Sequence, residues 1–191
     1  MVAAIRLASL IGSCLVALSS ACAQLQLRPT PSTYEVDGAK FSQLSFQDGN
    51  KEVTYVPPRD WQYSGNESGL ALRPAKQTQA EASVVKVPLA EEGPFDEPTQ
   101  KKLTDLAQAS VPSGSSNIKV LGQDLNPVMI DRKETYLVTI SYNAYGDTYA
   151  RSMMFMNRGK EQIRFQLTCR LSDFPELQRA FLQSQFSWRN L

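Results

Sequence analysis

The sequence predicts an α+β domain in which an antiparallel β-sheet is flanked by helices. Three observations carry this prediction. Residues 162–171 alternate between polar and apolar side chains, as a half-buried strand does. Tight-turn signals separate this segment from two β-prone segments before it, which makes the three an antiparallel meander. The C-terminal segment is apolar at helical spacing, so it can cover the apolar face of that meander.

The predicted strands of the first half are separated by turn signals and ended by proline. They cover residues 41–46, 52–56, 61–64, 70–73 and 83–87. Asp48-Gly49 lies between the first two and is a tight-turn signal, because glycine accepts a positive φ. Pro57 and Pro88 follow the second and fifth segments, since proline has no N–H to donate to a sheet. We therefore expect hairpins in this half.

One helix is expected between the two halves. It starts near Asp96 or Glu97 and carries Leu103, Leu106 and Ala107 on one face. A Gly/Ser-rich connection then leads to strands predicted at residues 118–121, 136–142, 148–156 and 163–171. The apolar residues that alternate onto one face of the last strand are Ile163, Phe165, Leu167, Cys169 and Leu171.

The final predicted helix supplies a cover for that face. Asp173 and Glu176 have the spacing of a capping box at its start. Its apolar residues recur at helical spacing and comprise Phe174, Leu177, Phe181, Leu182, Phe186 and Trp188. Because an apolar sheet face must be buried, we expect this helix to pack against the meander.

The first 23 residues predict a secretory signal peptide. Arg6 supplies the positive charge, residues 7–17 the apolar run, and Ala21-Cys22-Ala23 the small residues of a cleavage site. The apolar run is shorter than the roughly 20 residues that cross a bilayer. We predict an exported protein, periplasmic or extracellular, with a flexible leader over residues 24–40 and a single domain over residues 41–191.

Cys22 has an alternative interpretation as the lipidated first residue of a bacterial lipoprotein. Such signals place leucine three residues before the cysteine, whereas this chain has Ser19 there. Simple secretion is therefore favoured. Contact with a membrane is expected only if Cys22 is lipidated.

Composition excludes several kinds of chemistry. The chain has no histidine, which rules out Ser-His-Asp and Cys-His nucleophiles and histidine metal ligands. Two of the three cysteines lie in the predicted signal peptide, and the alternation places the third, Cys169, in the core. The net charge of +1 comes without a basic cluster and argues against a nucleic-acid partner. We predict no catalytic residue, no metal and no cofactor.

The candidate binding residues are three tyrosines around one predicted turn, Tyr142, Tyr145 and Tyr149. Tyrosine is enriched where proteins recognise each other, because it combines a large apolar ring with a polar hydroxyl. Tyrosine is also common in strands for packing reasons alone. We treat the three residues as a predicted surface patch.

An ordered set of residues at the start of the domain resembles the opening of the PsbP-like fold: Phe46, Val53, Tyr55, Pro57 and Trp61. That fold is known from an extrinsic photosystem subunit and from small bacterial envelope proteins. The closing helix, with Phe174, Phe181 and Phe186, is similar to the ending of the same fold. Residues 58–60 depart from it, since they replace the customary glycine before the tryptophan. The resemblance implies an α-β-α sandwich in families that usually lack enzymatic activity, and it does not imply a photosynthetic role.

Together these observations predict a non-enzymatic binding or accessory protein of the cell envelope with a protein partner. The alternative is a carrier of a small apolar ligand held between sheet and helix. A large apolar cavity would favour the carrier, whereas a filled core with exposed tyrosines would favour protein recognition.

Overall fold

A computed structural model describes residues 25–191 of the chain. The predicted signal peptide and the alternative lipidation site at Cys22 lie outside the described residues. The strands are β1 (Thr30–Val36), β2 (Ala39–Asp48), β3 (Lys51–Tyr55), β4 (Trp61–Gly65), β5 (Gly69–Pro74), β6 (Glu81–Pro88), β7 (Ser116–Leu125), β8 (Thr135–Ala144), β9 (Asp147–Arg158), β10 (Glu161–Arg170) and β11 (Arg189–Asn190). The helices are α1 (Glu97–Ala109) and α2 (Phe174–Gln185). Neither of these two helices is long and apolar enough to cross a membrane.

The strands form two antiparallel sheets. The large sheet has the order β4-β5-β6-β10-β9-β8-β7, and the small sheet has the order β1-β2-β3-β11. The predicted meander is present as β8, β9 and β10, which are neighbours in the large sheet. The predicted hairpin turn at Asp48-Gly49 is also present: Asp48 pairs with Lys51, and Gly49 has a φ of 61°.

One face of the large sheet packs against both α2 and the small sheet. Phe165 and Leu167 of β10 are fully buried and share a hydrophobic cluster with Phe181 of α2. Trp188 joins the layers, because its ring lies 5.6 Å from that of Phe46 in the small sheet and 5.4 Å from that of Phe165. The C-terminal helix packs on β10 of the meander as predicted, but it shares this face with the small sheet, which was not expected.

The opposite face of the large sheet packs against α1. The helix buries Leu103 and Ala107, and the predicted cap is present because Asp96 accepts a hydrogen bond from the backbone N–H of Thr99 at 3.0 Å. The buried residues that the sheet contributes to this cluster are Tyr136, Val138, Ile140, Tyr142, Met153 and Phe155. Helix α1 contacts β7 and β8 at one end of the sheet.

The predicted fold class holds in part. The sheets are antiparallel and a helix packs on each face of the large one. The molecule is nevertheless mainly β, because the small sheet shares one of those faces with α2. Helices α1 and α2 lie on opposite faces of the large sheet, and neither helix covers the whole of its face.

Residues 24–40 do not form the flexible leader that we expected, as far as the structure describes them. Thr30–Val36 is strand β1, paired with β2 along its whole length. Leu25 and Leu27 are fully buried. Pro31 is accommodated because β1 is an edge strand. The backbone groups on the outer edge of such a strand need no hydrogen-bond partner in the sheet. The folded domain therefore includes this segment.

Three details of the C-terminal prediction are wrong. Asp173 has a helical backbone and its side chain makes no capping bond, so the capping box is absent. Leu171 lies beyond the end of β10 and is 40% exposed. Helix α2 ends at Gln185, which leaves Phe186 exposed and places Trp188 after the helix, although Trp188 is buried.

Cys169 is the free cysteine of the described residues, and we expect it to be unreactive in the folded protein. Burial raises the pKa of its thiol to about 12, and the Asp173 carboxylate adds to the rise. At pH 8 only about one thiol in 10⁴ is then ionised, and the thiolate is the reactive form. Iodoacetamide followed by peptide mass spectrometry should modify Cys169 in urea and leave it unmodified in native buffer. Equal rates of modification in the two conditions would contradict its placement in the core.

Candidate functional site

A cleft of about 350 Å³ opens on the α1 side of the large sheet, next to the end of α1. Among the residues that line it are Arg73, Gln79, Glu81, Tyr145, Arg151 and Thr168. The cleft exists because α1 covers the β7–β8 end of the sheet and leaves polar side chains of β6 and β10 uncovered. Its volume is in the range of small-ligand and side-chain pockets.

Strand register fixes the floor of the cleft. Glu81 of β6 lies opposite Thr168 of β10, which lies opposite Arg151 of β9. The three side chains therefore form one row across three strands, on one face of the sheet. Tyr149 and Tyr142 lie opposite each other in the next row.

The three tyrosines that the sequence singles out all line this cleft. Tyr142 is 2% exposed, and its ring stacks on that of Tyr149 at a centroid distance of 5.9 Å. The Tyr149 hydroxyl donates a hydrogen bond to Oε1 of Gln79 at 3.1 Å. Tyr145 is 83% exposed. The exposed part of the predicted tyrosine patch is therefore smaller than expected. Tyr142 is buried in the wall of the cleft, and of the three tyrosines only Tyr145 projects into solvent.

Tyr145 stands at the tip of the two-residue turn between β8 and β9. Ala144 pairs with Asp147, and the residues between them, Tyr145 and Gly146, have φ values of 52° and 83°. Such turns favour asparagine followed by glycine, because a positive φ is costly for a bulky side chain. The backbone therefore holds an aromatic ring at the rim of the cleft in a conformation that tyrosine disfavours.

Arg151 is the residue of this site that sequence analysis missed. It is 8% exposed, and its Nε donates to Oγ1 of Thr168 at 2.9 Å. Its Nη1 donates to the backbone carbonyl of Ser110 and, at 2.9 Å, to the Ser110 hydroxyl. The guanidinium lies 5.7 Å from the centre of the Tyr142 ring, a cation–π distance. Burial raises the pKa of the Tyr142 hydroxyl, while the nearby charge of Arg151 opposes that rise.

A signal for Arg151 is present in the sequence of β9. On the face toward α1 the strand alternates Tyr149, Arg151, Met153 and Phe155, so one cation stands in an otherwise aromatic and apolar row. Its partners lie on β10 and at the end of α1, which are distant in sequence. The alternation in β9 singles out Arg151 in the sequence. The cleft around Arg151 forms only when β10 and the end of α1 are brought beside it in the fold.

The chemistry of the cleft suits binding. Within residues 25–191 no group of three acidic or cysteine side chains is arranged to hold a metal ion. Glu81 lies 3.9 Å from Arg73, so the carboxylate of the cleft already has a cationic neighbour. Aromatic rings, a guanidinium and amide groups can fix the orientation of a ligand.

Comparison with known proteins supports the fold. No protein-family model and no curated protein matches the chain. The solution structure of the cyanobacterial PsbP protein of Synechocystis sp. PCC 6803 superimposes with a TM-score of 0.55 at 11% identity, covering 94% of this chain and 98% of that one. The fold is PsbP-like. A protein of unknown function from Pseudomonas aeruginosa also matches the PsbP-like fold of this chain, with a TM-score of 0.50, 16% identity, and coverage of 82% and 94%.

The PsbP-like fold explains why the resemblance was visible in the sequence. Trp61 stacks on Phe181 of α2 at a centroid distance of 6.0 Å. The Tyr55 hydroxyl hydrogen bonds to that of Ser184, also in α2, at 2.8 Å. Trp61 and Tyr55, two of the residues that carry the resemblance, therefore dock α2 onto the strands. The resemblance marks the packing of the fold, and the cleft residues lie elsewhere.

Proposed function

We propose that the protein is an exported, non-enzymatic accessory protein of the cell envelope that binds a protein partner at the cleft. The observation that carries this proposal is Tyr145, an 83% exposed tyrosine held at the rim in a left-handed backbone conformation. Backbone strain at an exposed aromatic is more consistent with a role in recognition than with one in folding. Tyrosines of this kind dominate the energetics of many protein interfaces.

The filled core supports protein recognition over the alternative of an apolar carrier. Trp188 packs between the two sheets, and Trp61 closes on Phe181 between β4 and α2. The space in which an apolar ligand would lie between sheet and helix is occupied by these rings. The tyrosine cleft, by contrast, is open to solvent and lined by polar as well as apolar groups.

The remaining parts of the proposal come from the sequence. The absence of histidine and the buried, high-pKa thiol of Cys169 support a non-enzymatic role. The pattern of the first 23 residues supports export. A membrane anchor is part of the proposal only if Cys22 is lipidated.

Cross-linking from the rim of the cleft tests the proposal. A photoreactive phenylalanine placed at position 145 in cells of the source organism should give a discrete adduct with one envelope protein on irradiation. The matched control places the same group at Phe186, which is 59% exposed and lies at the end of α2. Identical adducts at both positions, or no adduct at position 145, would overturn the proposal.

Tyr145→Asn separates recognition from folding. Asparagine tolerates the left-handed conformation, so we expect the free energy of unfolding in urea to rise by about 1 kcal/mol. Recovery of the partner identified by cross-linking should fall by about tenfold or more, as for an interface hot spot. Unchanged recovery with this variant would remove Tyr145 from the binding surface.

A further inference from the structure

We propose that the cleft binds a carboxylate group of a partner polypeptide, held by Arg151. This inference rests on the proposed function, since it names the chemical group that the same cleft receives. It also goes beyond that function, because it assigns a recognition residue that lies inside the cleft rather than at its rim.

Arg151 carries a charge that no described carboxylate compensates. Arginine stays protonated in proteins, and a buried charge is costly unless an opposite charge compensates it. The ion pairs among residues 25–191 do not include Arg151. Its hydrogen-bond acceptors are the hydroxyls of Thr168 and Ser110 and the carbonyl of Ser110, all of them neutral. The described chain therefore buries a guanidinium without a carboxylate partner.

Arg151 also has hydrogen-bond donors that no described residue uses. The hydrogen bonds of Arg151 within the described residues use Nε and Nη1, which leaves the two donors of Nη2 for a ligand. The carbonyl of Ser110 lies at the C-terminal end of α1, where the helix dipole favours a cation. This contact stabilises the charged side chain. The contact with the Ser110 carbonyl uses one nitrogen of Arg151, Nη1, and a carbonyl dipole does not neutralise the full positive charge of the guanidinium.

The neighbours of Arg151 pre-organise its guanidinium for ligand binding. The Tyr142 ring lies against the guanidinium at 5.7 Å, and the Tyr149 ring stacks on the Tyr142 ring at 5.9 Å. Three fixed acceptors and one aromatic wall hold Arg151 in a single orientation before a ligand arrives. A ligand then loses less free energy to the ordering of its receptor, which favours tight binding by few contacts.

The positive and negative charges that line the cleft do not balance. The charged residues that line it are two arginines, Arg73 and Arg151, and one acid, Glu81. Glu81 neighbours Arg73 at 3.9 Å and is two strands away from Arg151. The cleft thus has one positive charge in excess, located on a guanidinium whose Nη2 can donate a charge-assisted hydrogen bond to a carboxylate. Tyr145 at the rim is placed to contact the chain that carries this group.

The test compares a carboxylate with its amide. The full chain, labelled with ¹⁵N, is titrated with N-acetylglutamate N-methylamide and, separately, with the matching glutamine compound. We expect the Arg151 Nε–H and Tyr145 amide resonances to shift with the glutamate compound, and its affinity to exceed that of the glutamine compound by about tenfold. The Arg158 Nε–H serves as an internal control, because Arg158 already pairs with Asp48. Equal shifts with both compounds would overturn the proposal.

Further arms identify the source of the group. Acetyl-Ala-Ala with a free C-terminus, compared with its C-terminal amide, distinguishes a terminal carboxylate from a glutamate side chain, and either one supports the proposal. Inorganic phosphate binding more tightly than both carboxylates would overturn it. Arg151→Lys keeps the charge but cannot bond Thr168 and Ser110 and still present the donors of Nη2, so affinity for the preferred carboxylate should fall by about tenfold. If that variant does not fold, it is replaced by the loss of binding by wild type as the pH falls through the pKa of the ligand carboxylate, about 4.3 for glutamate and about 3.5 for a chain terminus.

The two proposals fail in distinguishable ways. Carboxylate binding without a cross-linked partner at position 145 would retain the Arg151 site and remove the protein partner. A cross-linked partner with no preference for glutamate over glutamine would retain the partner and remove Arg151 from its recognition.

Discussion

Replacing Trp188 with alanine should lower the free energy of unfolding by about 3–5 kcal/mol, the cost of removing a fully buried large aromatic side chain. Trp188 is 2% exposed and contacts rings from both sheets: Phe46 and Tyr55 on the small sheet and Phe165 on the large one. Alanine would leave a cavity where the layers meet, and the strands cannot close it without losing register. Unfolding in urea, followed by tyrosine and Trp61 fluorescence, measures the change.

Phe186→Ala is the matched control for Trp188→Ala. Phe186 is an aromatic residue two positions earlier in the chain, but it is 59% exposed. Its replacement should change the free energy of unfolding by less than about 0.5 kcal/mol, as expected for a surface site. Comparable losses for the two variants would show that Trp188 does not join the layers.

A second large effect is expected from Arg158→Met, which should cost about 3 kcal/mol. Arg158 of β9 donates to the carboxylate of Asp48 at the end of β2, so this ion pair links the large sheet to the small one. The Asp48 side chain is 7% exposed and that of Arg158 is 22% exposed. Methionine would leave a buried carboxylate without its counter-charge, and breaking buried pairs costs about 3–5 kcal/mol. We expect the lower end because Arg158 retains some contact with water.

The double variant Asp48→Leu with Arg158→Met distinguishes the cost of an unpaired charge from the value of the pair. Removing both charges should restore stability to within about 1 kcal/mol of wild type, since replacing a buried ion pair by apolar groups is often neutral. The same urea series supplies the measurement. A double variant as unstable as Arg158→Met alone would indicate that the two side chains matter for packing and not for charge compensation.

The parts of the fold that could be predicted are those in which one face of an element is apolar and the other is polar. The alternation in β10 placed Phe165 and Leu167 correctly because the apolar residues of that strand lie on the face that packs against α2 and the small sheet. β1 gave no such signal: Tyr34 and Val36 are exposed, as is Phe41 opposite Tyr34 on β2. A strand exposed on both sides has no alternation to detect.

The candidate site was predictable only in its local part. The three tyrosines were found because they surround one turn of the chain. The cleft itself is assembled from β6, β9, β10 and the end of α1, which are brought together by strand pairing between segments far apart in sequence. The hydrogen bonds of Arg151 are therefore a property of the topology, which no spacing along the chain encodes.

The two ends of the described chain lie beside the same hairpin. The backbone N–H of Gln26 donates to the carbonyl of Gln47 on β2, and that of Leu191 donates to the carbonyl of Glu52 on β3, directly opposite Gln47. Three inter-strand spacings, about 14 Å, separate the ends, and roughly five added residues would connect them. A circular permutant that is joined here and opened in the exposed turn at Asp37-Gly38, between β1 and β2, would keep every strand pairing, so the tyrosine cleft can be presented on a molecule whose ends emerge elsewhere.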